Sequence, residues 1–543
     1  MTFDLIIRKG RVVDGTGAPE RCTDIGVVGD RIMALEDLSK AEARRVYDAS
    51  GAVVAPGFID VHAHSDAYLL LEPDAPSKLT QGITTEINGQ CGGSAAPLYG
   101  AARMPSDWAG QHYGRLTPGG VVTPNAQPGP TWSTLADYRQ LFEAIRPALN
   151  TIQFVGHNTL RAGVMGYAPR VATAPEVRQM TQRLEQALDE GGWGLSTGLL
   201  YQPGKYAETE EVLALVGAAA AREAFFATHM RSEGERLLES IDEVLQLTRA
   251  TGIRTQISHL KTAGKDNWHK LEQVLARLVN ARAEGLRLHA DRYPYTAACT
   301  DLDVVLPEWA SAGGREAILR NLREPATRCR VEEALDASAR DWATIMIGGG
   351  WSDASRAFSG STVAEAAQAL SLTPGQVVCR FIDLDDTRTS AFFFGMCDEN
   401  LKRILQAPWV MPGSDASLRA PWGPLGLDHP HPRAYGTMPR YLRLMTGRLA
   451  GVEGCFSLEE AVRRMTSLPA EAFGICRRGV LAPGAFADIV VFAEEAFCDV
   501  ATYARPHQFA EGMRLVVVNG APAYEHGRFS GQRRGRFLTR ADF

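Results

Sequence analysis

Two kinds of hydrophobic pattern divide this chain. Over residues 1–55, β-branched runs are broken by Gly-Asp and Asp-Gly pairs, as in FDLIIRKGRVVDGTG and DIGVVGDRIMAL. Such a pattern predicts short strands joined by tight turns. Residues 478–543 return to it with ADIVVFA and RLVVVNGAPAYEHG. Two β-rich ends around a different middle predict one small β-sandwich domain built from both termini. In residues 56–477, short apolar runs are followed by amphipathic stretches such as Glu211–Ala224 and Glu235–Gly252, the second closing on a glycine stop signal. Strand–helix alternation of this kind predicts a parallel β/α architecture.

Eight strand windows emerge: Gly57–His62, Thr84–Cys91, Ile152–His157, Gly194–Leu199, Phe225–His229, Thr255–His259, Leu286–Tyr295 and Trp409–Asp415. Eight suits an α/β fold of the (β/α)8 TIM-barrel type, whose active sites lie at the C-terminal ends of the strands. His62, Cys91, His229, His259 and Asp415 all close such windows. Two stretches exceed a minimal barrel. Met104–Trp132, rich in Pro and Gly, reads as a long loop over the second strand. Residues 297–407 carry helices of their own and the run TIMIGGG, and read as an insertion between the seventh and eighth strands, a lid or subdomain.

Composition narrows the class. Of 543 residues, 45% are apolar and 22% charged, as in ordinary globular proteins. A formal net charge of -6 gives no support to a nucleic-acid or anionic-membrane partner. The arginines of GQRRGRFLTR read as solvating the edge of the sandwich. The nine cysteines include no CxxC pair, which suits a reducing, cytoplasmic setting. In MTFDLIIRKG a charge arrives at Asp4, so no secretory apolar core is expected there. The longest apolar run, Val212–Ala221, falls short of the roughly 20 residues of a membrane span.

The chemistry concentrates at the window ends. In GFIDVHAHSD, His62 and His64 are two apart, so on an extended chain both imidazoles face one side and can reach one cation. The bland alternative is a pair of hydrogen-bonded loop histidines. Cys91, in TEINGQCGGS, precedes two glycines that permit close backbone approach; such a cysteine is either a metal-binding thiolate or a small core residue. His229 in FFATHMRSEGE and His259 in TQISHLKTAG share the order of apolar strand, histidine, polar loop. His157 reads as a supporting residue or helix cap. His112, His269, His289, His429, His507 and His526 read as solvated or structural. Asp415 in VMPGSDAS is a candidate general base or a helix cap.

Taken together, DGTGAPE, GQCGGSAAP, STGLLYQPG, ISHLK, DRYPYTA, GSDAS and HPRAYGTMPR resemble the N-acyl-D-amino-acid deacylases, or D-aminoacylases, of the amidohydrolase superfamily, in order over most of the chain. The fourth window, unlike that of many superfamily members, is not followed by a lysine at its end. LAPGAFADIVVF is similar to the superfamily's returning sandwich strand. The resemblance implies Zn2+ held tightly by Cys91, His229 and His259. It places His62, His64 and Asp415 around a second, weaker position that shares Cys91. It makes Asp415 the general base and then acid, and Lys261, Tyr293 and Arg433 the grip on a substrate α-carboxylate. The implied reaction is hydrolysis of the linear amide of an N-acyl-D-amino acid, a small-molecule substrate. Cys299 stands where the family often has serine, and the 416–431 loop is longer and more apolar than in its shortest members. Trp422, Leu425 and Leu427 on that loop suggest hydrophobic D-residues. Rival readings are an L-Xaa-D-Xaa dipeptidase, a cyclic amidase such as a dihydroorotase or hydantoinase, and a non-catalytic scaffold.

Overall fold

The computed structural model describes residues 2–102 and 132–542, with the backbone of two short paired strands, Arg115–Leu116 and Val122–Thr123. His112 and most of the Pro- and Gly-rich stretch expected over the second strand lie outside the described residues.

Eight parallel strands form the central sheet: Phe58–Asp60, Ile83–Asn88, Asn150–Gly156, Gly194–Gly198, Phe225–His229, Arg254–Ile257, Leu288–Arg292 and Val410–Pro412. They are hydrogen-bonded in sequence order from first to eighth, each neighbour in parallel register. Helices flank the strands, so most strand positions are buried on both faces, which explains their continuous apolar runs. The architecture is a TIM barrel. Every predicted window overlaps a strand, yet several strands stop before their windows do. The reason lies in the backbone: Cys91, His259 and Asp415 have φ of 51°, 37° and 48°, which regular ladder pairing does not accommodate. The peptide groups near the mouth bond between loops instead of along ladders.

The surrounding helices carry their own signals. Ala174–Asp189 opens with proline in its first turn and a reciprocal Thr173/Glu176 capping box. Leu237–Thr251 ends on Gly252 in the left-handed region, with Arg249 in its last turn. The apolar run at Val212 belongs to the helix Thr209–Ala221, which packs on the preceding helix and strand.

Residues from both ends of the chain share a nine-stranded mixed sheet. Val53–Pro56 pairs with Leu5–Val12 on one side and Ile489–Phe492 on the other, joining the two ends. Inward residues such as Ile7, Ile25, Val54, Ile489 and Leu515 form one core between the halves of the sheet. The basic terminal stretch differs from expectation. It leaves the sheet edge and clamps the N-terminal end of the third barrel strand, where the Leu538 N–H donates to the Thr151 carbonyl at 2.8 Å. Arg533 and Arg536 pair with Asp74 and Asp30, both at 2.7 Å, and Phe537 enters the barrel-side core. Between the seventh and eighth barrel strands lies the insertion, a three-stranded antiparallel sheet (Ala297–Asp301, Ile345–Ile347, Ser390–Phe394) with helices and a separate hydrophobic core. Among the described residues no helix is long and apolar enough to cross a membrane.

Candidate metal centre

A cavity of about 1190 Å³ opens at the C-terminal ends of the barrel strands, roofed partly by the insertion. At its floor the donor atoms of His62, Cys91, His259 and Asp415 lie within 4.8 Å of one another, as do those of His229, Glu233 and His259. The Cys91 Sγ lies 3.3 Å from both His62 Nε2 and His259 Nε2. One oxygen of Asp415 is 3.0 Å from His64 Nε2 and 3.3 Å from His62 Nε2. The His229 and His259 rings meet edge-on, with centroids 4.4 Å apart.

The close approach at Cys91 is built by glycine. Gly92 has φ +78°, and a Cβ there would lie 2.4 Å from the Asn158 side chain and 2.5 Å from the Gly198 nitrogen. Three donor residues on left-handed backbone cost about 1–3 kcal/mol each, a strain that persists only where the surroundings overdetermine it. Among the described residues, these are three of fourteen non-glycine residues with positive φ.

Electrostatics favours the ionised thiol. Burial opposes thiolate formation at Cys91, but the imidazoles of His62 and His259 outweigh it and hold the thiol well below its ordinary range. Burial likewise opposes the Asp415 carboxylate, while Arg433, His62 and His259 hold it well below the usual range. Burial and the repulsion of charged His259 keep His229 toward its neutral form. The two ring nitrogens of His229 are buried without a hydrogen-bond partner. A thiolate, several imidazoles and a carboxylate, with one imidazole left unsatisfied, suit a borderline-soft dication.

Beside the floor, Arg433 Nη1 lies 2.7 Å from the second Asp415 oxygen. Its guanidinium stacks 4.5 Å from the Tyr293 ring centre, and Arg292 stacks on the same ring at 4.1 Å. The Tyr293 hydroxyl is buried without a hydrogen-bond partner and its residue lines the cavity. Lys261 contacts His259 Nδ1 at 2.8 Å and pairs closely with Glu233. The nine residues singled out from the sequence are thus gathered around one floor.

Other residues gave no comparable signal. Asp291, fully buried on the seventh strand, lies 3.1 Å from His62 Nδ1 and accepts the His259 backbone N–H at 2.9 Å. Its place in HADRYPY, a carboxylate inside a buried strand, was the clue available. Glu233 lies four residues past His229 and 2.8 Å from His259 Nδ1. His431 accepts the Arg433 backbone N–H on Nδ1 at 3.0 Å, so its Nε2–H donates to the Ala297 carbonyl at 3.1 Å. Two expectations are corrected. His157 is buried at the start of the helix His157–Met165, bonded to Glu211 at 2.8 Å, and neither caps that helix nor supports the floor. Trp422, Leu425 and Leu427 do not line the cavity: Trp422 packs on Phe509 and Phe529, Leu425 enters the barrel-side core, and Leu427 is exposed.

Comparison with known proteins adds four findings. The chain matches the amidohydrolase family over residues 45–524. It is 36% identical over 542 residues to a D-aminoacylase from Alcaligenes xylosoxydans xylosoxydans, covering 99% of this chain and 98% of that one. Among solved structures, a D-aminoacylase with a binuclear metal centre, described as activated by one metal and attenuated by the second, superposes with a TM-score of 0.80 at 35% identity, covering 99% of this chain and 100% of that one. The N-acyl-D-glutamate deacylase of Bordetella bronchiseptica, complexed with zinc and a phosphonate mimic of the tetrahedral intermediate, gives 0.80 at 34% identity, with the same coverage. This chain therefore belongs to the amidohydrolase family, within its N-acyl-D-amino-acid deacylase, or D-aminoacylase, branch. It is a metal-dependent amide hydrolase.

Proposed function

We propose that this enzyme is a cytoplasmic, zinc-dependent deacylase that splits N-acyl-D-amino acids into a carboxylate and a free D-amino acid. The observation that carries the reading is the convergence of one thiol, four imidazoles and the Asp415 carboxylate beside Arg433, Lys261 and the free Tyr293 hydroxyl. Cys91, His229 and His259 hold the tightly bound zinc; His62, His64 and Asp415 surround a second, weaker position sharing Cys91. When bound, zinc supplies Lewis acidity that polarises an amide carbonyl and acidifies water.

The side chains do the rest. The guanidinium fork of Arg433 suits a carboxylate bidentately, Lys261 adds a point charge and Tyr293 a hydroxyl donor. Anchoring the α-carboxylate beside the scissile amide leaves the α-substituent one open direction, which selects one hand. Asp415, held ionised by its cationic neighbours, takes the proton from the attacking water and returns it to the departing nitrogen.

For the substrate side chain the reading is hydrophobic, on different grounds from the 416–431 loop. Leu200, Val304, Phe393 and Met396 line the cavity. Arg419 and Arg315, which also line it, are already paired with Asp428 at 2.9 Å and Asp386 at 3.6 Å. A side-chain carboxylate bound at either of these two would have to break its pair. Turnover of N-acetyl-D-Leu, N-acetyl-D-Phe, N-acetyl-D-Glu, L-Xaa-D-Xaa dipeptides and hydantoins tests the whole reading. Preferred hydrolysis of N-acetyl-D-Leu or N-acetyl-D-Phe is expected. Preference for N-acetyl-D-Glu would remove the side-chain assignment, and preference for dipeptides or hydantoins would replace the function.

A further inference from the structure

The barrel has a seam. Seven neighbouring strand pairs share a ladder, but the first and eighth, Phe58–Asp60 and Val410–Pro412, share none. Beyond their ends the chains are joined by the Asp415 N–H donating to the His62 carbonyl at 2.7 Å and the His64 N–H donating to the Ala416 carbonyl at 3.2 Å. These two segments carry His62, His64 and Asp415. The part of the barrel with the least backbone pairing therefore holds the candidate base and its histidine partners.

Lys78 spans that seam from the side. It sits on the short helix Pro76–Leu79 with its side chain fully buried. Its ammonium donates to Asp60 Oδ2 at 3.0 Å, Ser414 Oγ at 3.2 Å and the Ala416 carbonyl at 3.0 Å. Asp60 belongs to the first strand; Ser414 and Ala416 follow the eighth. Ser414 closes the loop of contacts: its N–H donates to Asp60 Oδ1 at 2.8 Å and its hydroxyl to Asp60 Oδ2 at 2.6 Å. On the far side Glu86 lies 3.4 Å from the ammonium and accepts the Ser65 hydroxyl at 2.9 Å, while Ser65 Oγ accepts the Leu418 N–H at 3.1 Å. A buried ammonium is costly, and an apolar side chain of similar volume is often no less stabilising. What the ammonium adds is direction: bonds that fix two chain segments which share no ladder.

We propose that Lys78, Asp60 and Ser414 form a side-chain clasp that stands in for the missing ladder and sets the distance between Asp415 and the His62/His64 pair. Lys78 is then a positioning residue for the reaction; this rests on the reading of Asp415 as the base. The test compares wild type with Lys78→Met and Ser414→Ala by hydrogen–deuterium exchange of the metal-stripped proteins and by steady-state kinetics of the zinc-loaded ones on N-acetyl-D-Leu. Peptides covering residues 61–66 and 413–418 should exchange at least tenfold faster in both variants, while peptides from the third to fifth strands keep their wild-type rates. kcat should fall at least tenfold with KM within twofold. Unchanged exchange across the seam overturns the clasp, as does a uniform rise in exchange across the barrel, which is the signature of general destabilisation. Faster seam exchange with wild-type kcat overturns the positioning role. If Lys78→Met does not fold, Ser414→Ala decides by the same criteria. If wild type fails to hydrolyse the substrate at all, the substrate reading falls while the exchange arm still scores the clasp.

Discussion

Replacing Asp291 with asparagine is a sharp probe of how the floor is held. The substitution is nearly isosteric and the site is fully buried, so the backbone has no cause to move. In the native protein this carboxylate only accepts. It receives His62 Nδ1, 3.1 Å from each oxygen, the His259 N–H at 2.9 Å, and the Gln256 side-chain amide. Asparagine has one acceptor oxygen and presents an NH2 group on the other side, so at least one buried donor loses its partner. Orphaning such a group costs about 1–3 kcal/mol. Loss of a carboxylate behind a metal-binding histidine typically costs about 10- to 100-fold in metal affinity, or about 1.4–2.7 kcal/mol. The two scales agree, so Asp291→Asn should bind zinc about 10- to 100-fold more weakly at the position that His62 serves. Competition against a chromophoric chelator, with far-ultraviolet circular dichroism confirming the fold, measures this directly. Affinity within threefold of wild type would refute the reasoning, because His62 and His259 would then be oriented without Asp291.

Three further outcomes are expected. Asp415→Asn should lower kcat by about 10²- to 10⁴-fold, the usual worth of a general base, with KM little changed and tightly bound zinc retained by metal analysis. Arg433→Lys keeps the charge but loses the fork and the stacking on Tyr293. At about 1.5–3 kcal/mol for a charge-assisted bond, KM should rise roughly 10- to 100-fold, and amides lacking the α-carboxylate should show no such difference. Burial, with Arg282 and Arg254 nearby, pushes His289 down to about 4. Its folded pKa lies below the unfolded value near 6.5, so the unfolded chain takes up the proton first as pH falls. Stability should drop by about 1–2 kcal/mol between pH 7 and 5; urea midpoints should show it, and His289→Gln should remove that portion.

Much of this architecture was legible in the sequence because parallel strands covered on both faces are written as unbroken apolar runs, and the eight windows follow from that. The donors were legible for the same reason: a histidine, cysteine or aspartate closing an apolar run stands out. Asp291 and Lys78 did not, since each is a charge whose partners lie far along the chain, and only the barrel brings Asp60, Ser414 and Ala416 around one ammonium. Strand ends were overextended at Cys91, His259 and Asp415, where left-handed backbone leaves no mark in side-chain pattern. The 416–431 loop misled because apolar residues beside a site can face outward: Trp422 is 44% exposed and donates to Glu72 instead of meeting the cavity. The terminal arginines look solvated in the sequence because their acids, Asp74 and Asp30, are hundreds of residues away.

The most direct measurement is chiral. Zinc-loaded enzyme is given racemic N-acetylleucine, and the released amino acid is resolved by enantiomer. The expected result is free D-leucine, with half of the substrate left as the N-acetyl-L form and release abolished by chelation. Release of L-leucine, or of both enantiomers at similar rates, would contradict an α-carboxylate anchored by Arg433, Lys261 and Tyr293 beside the metal.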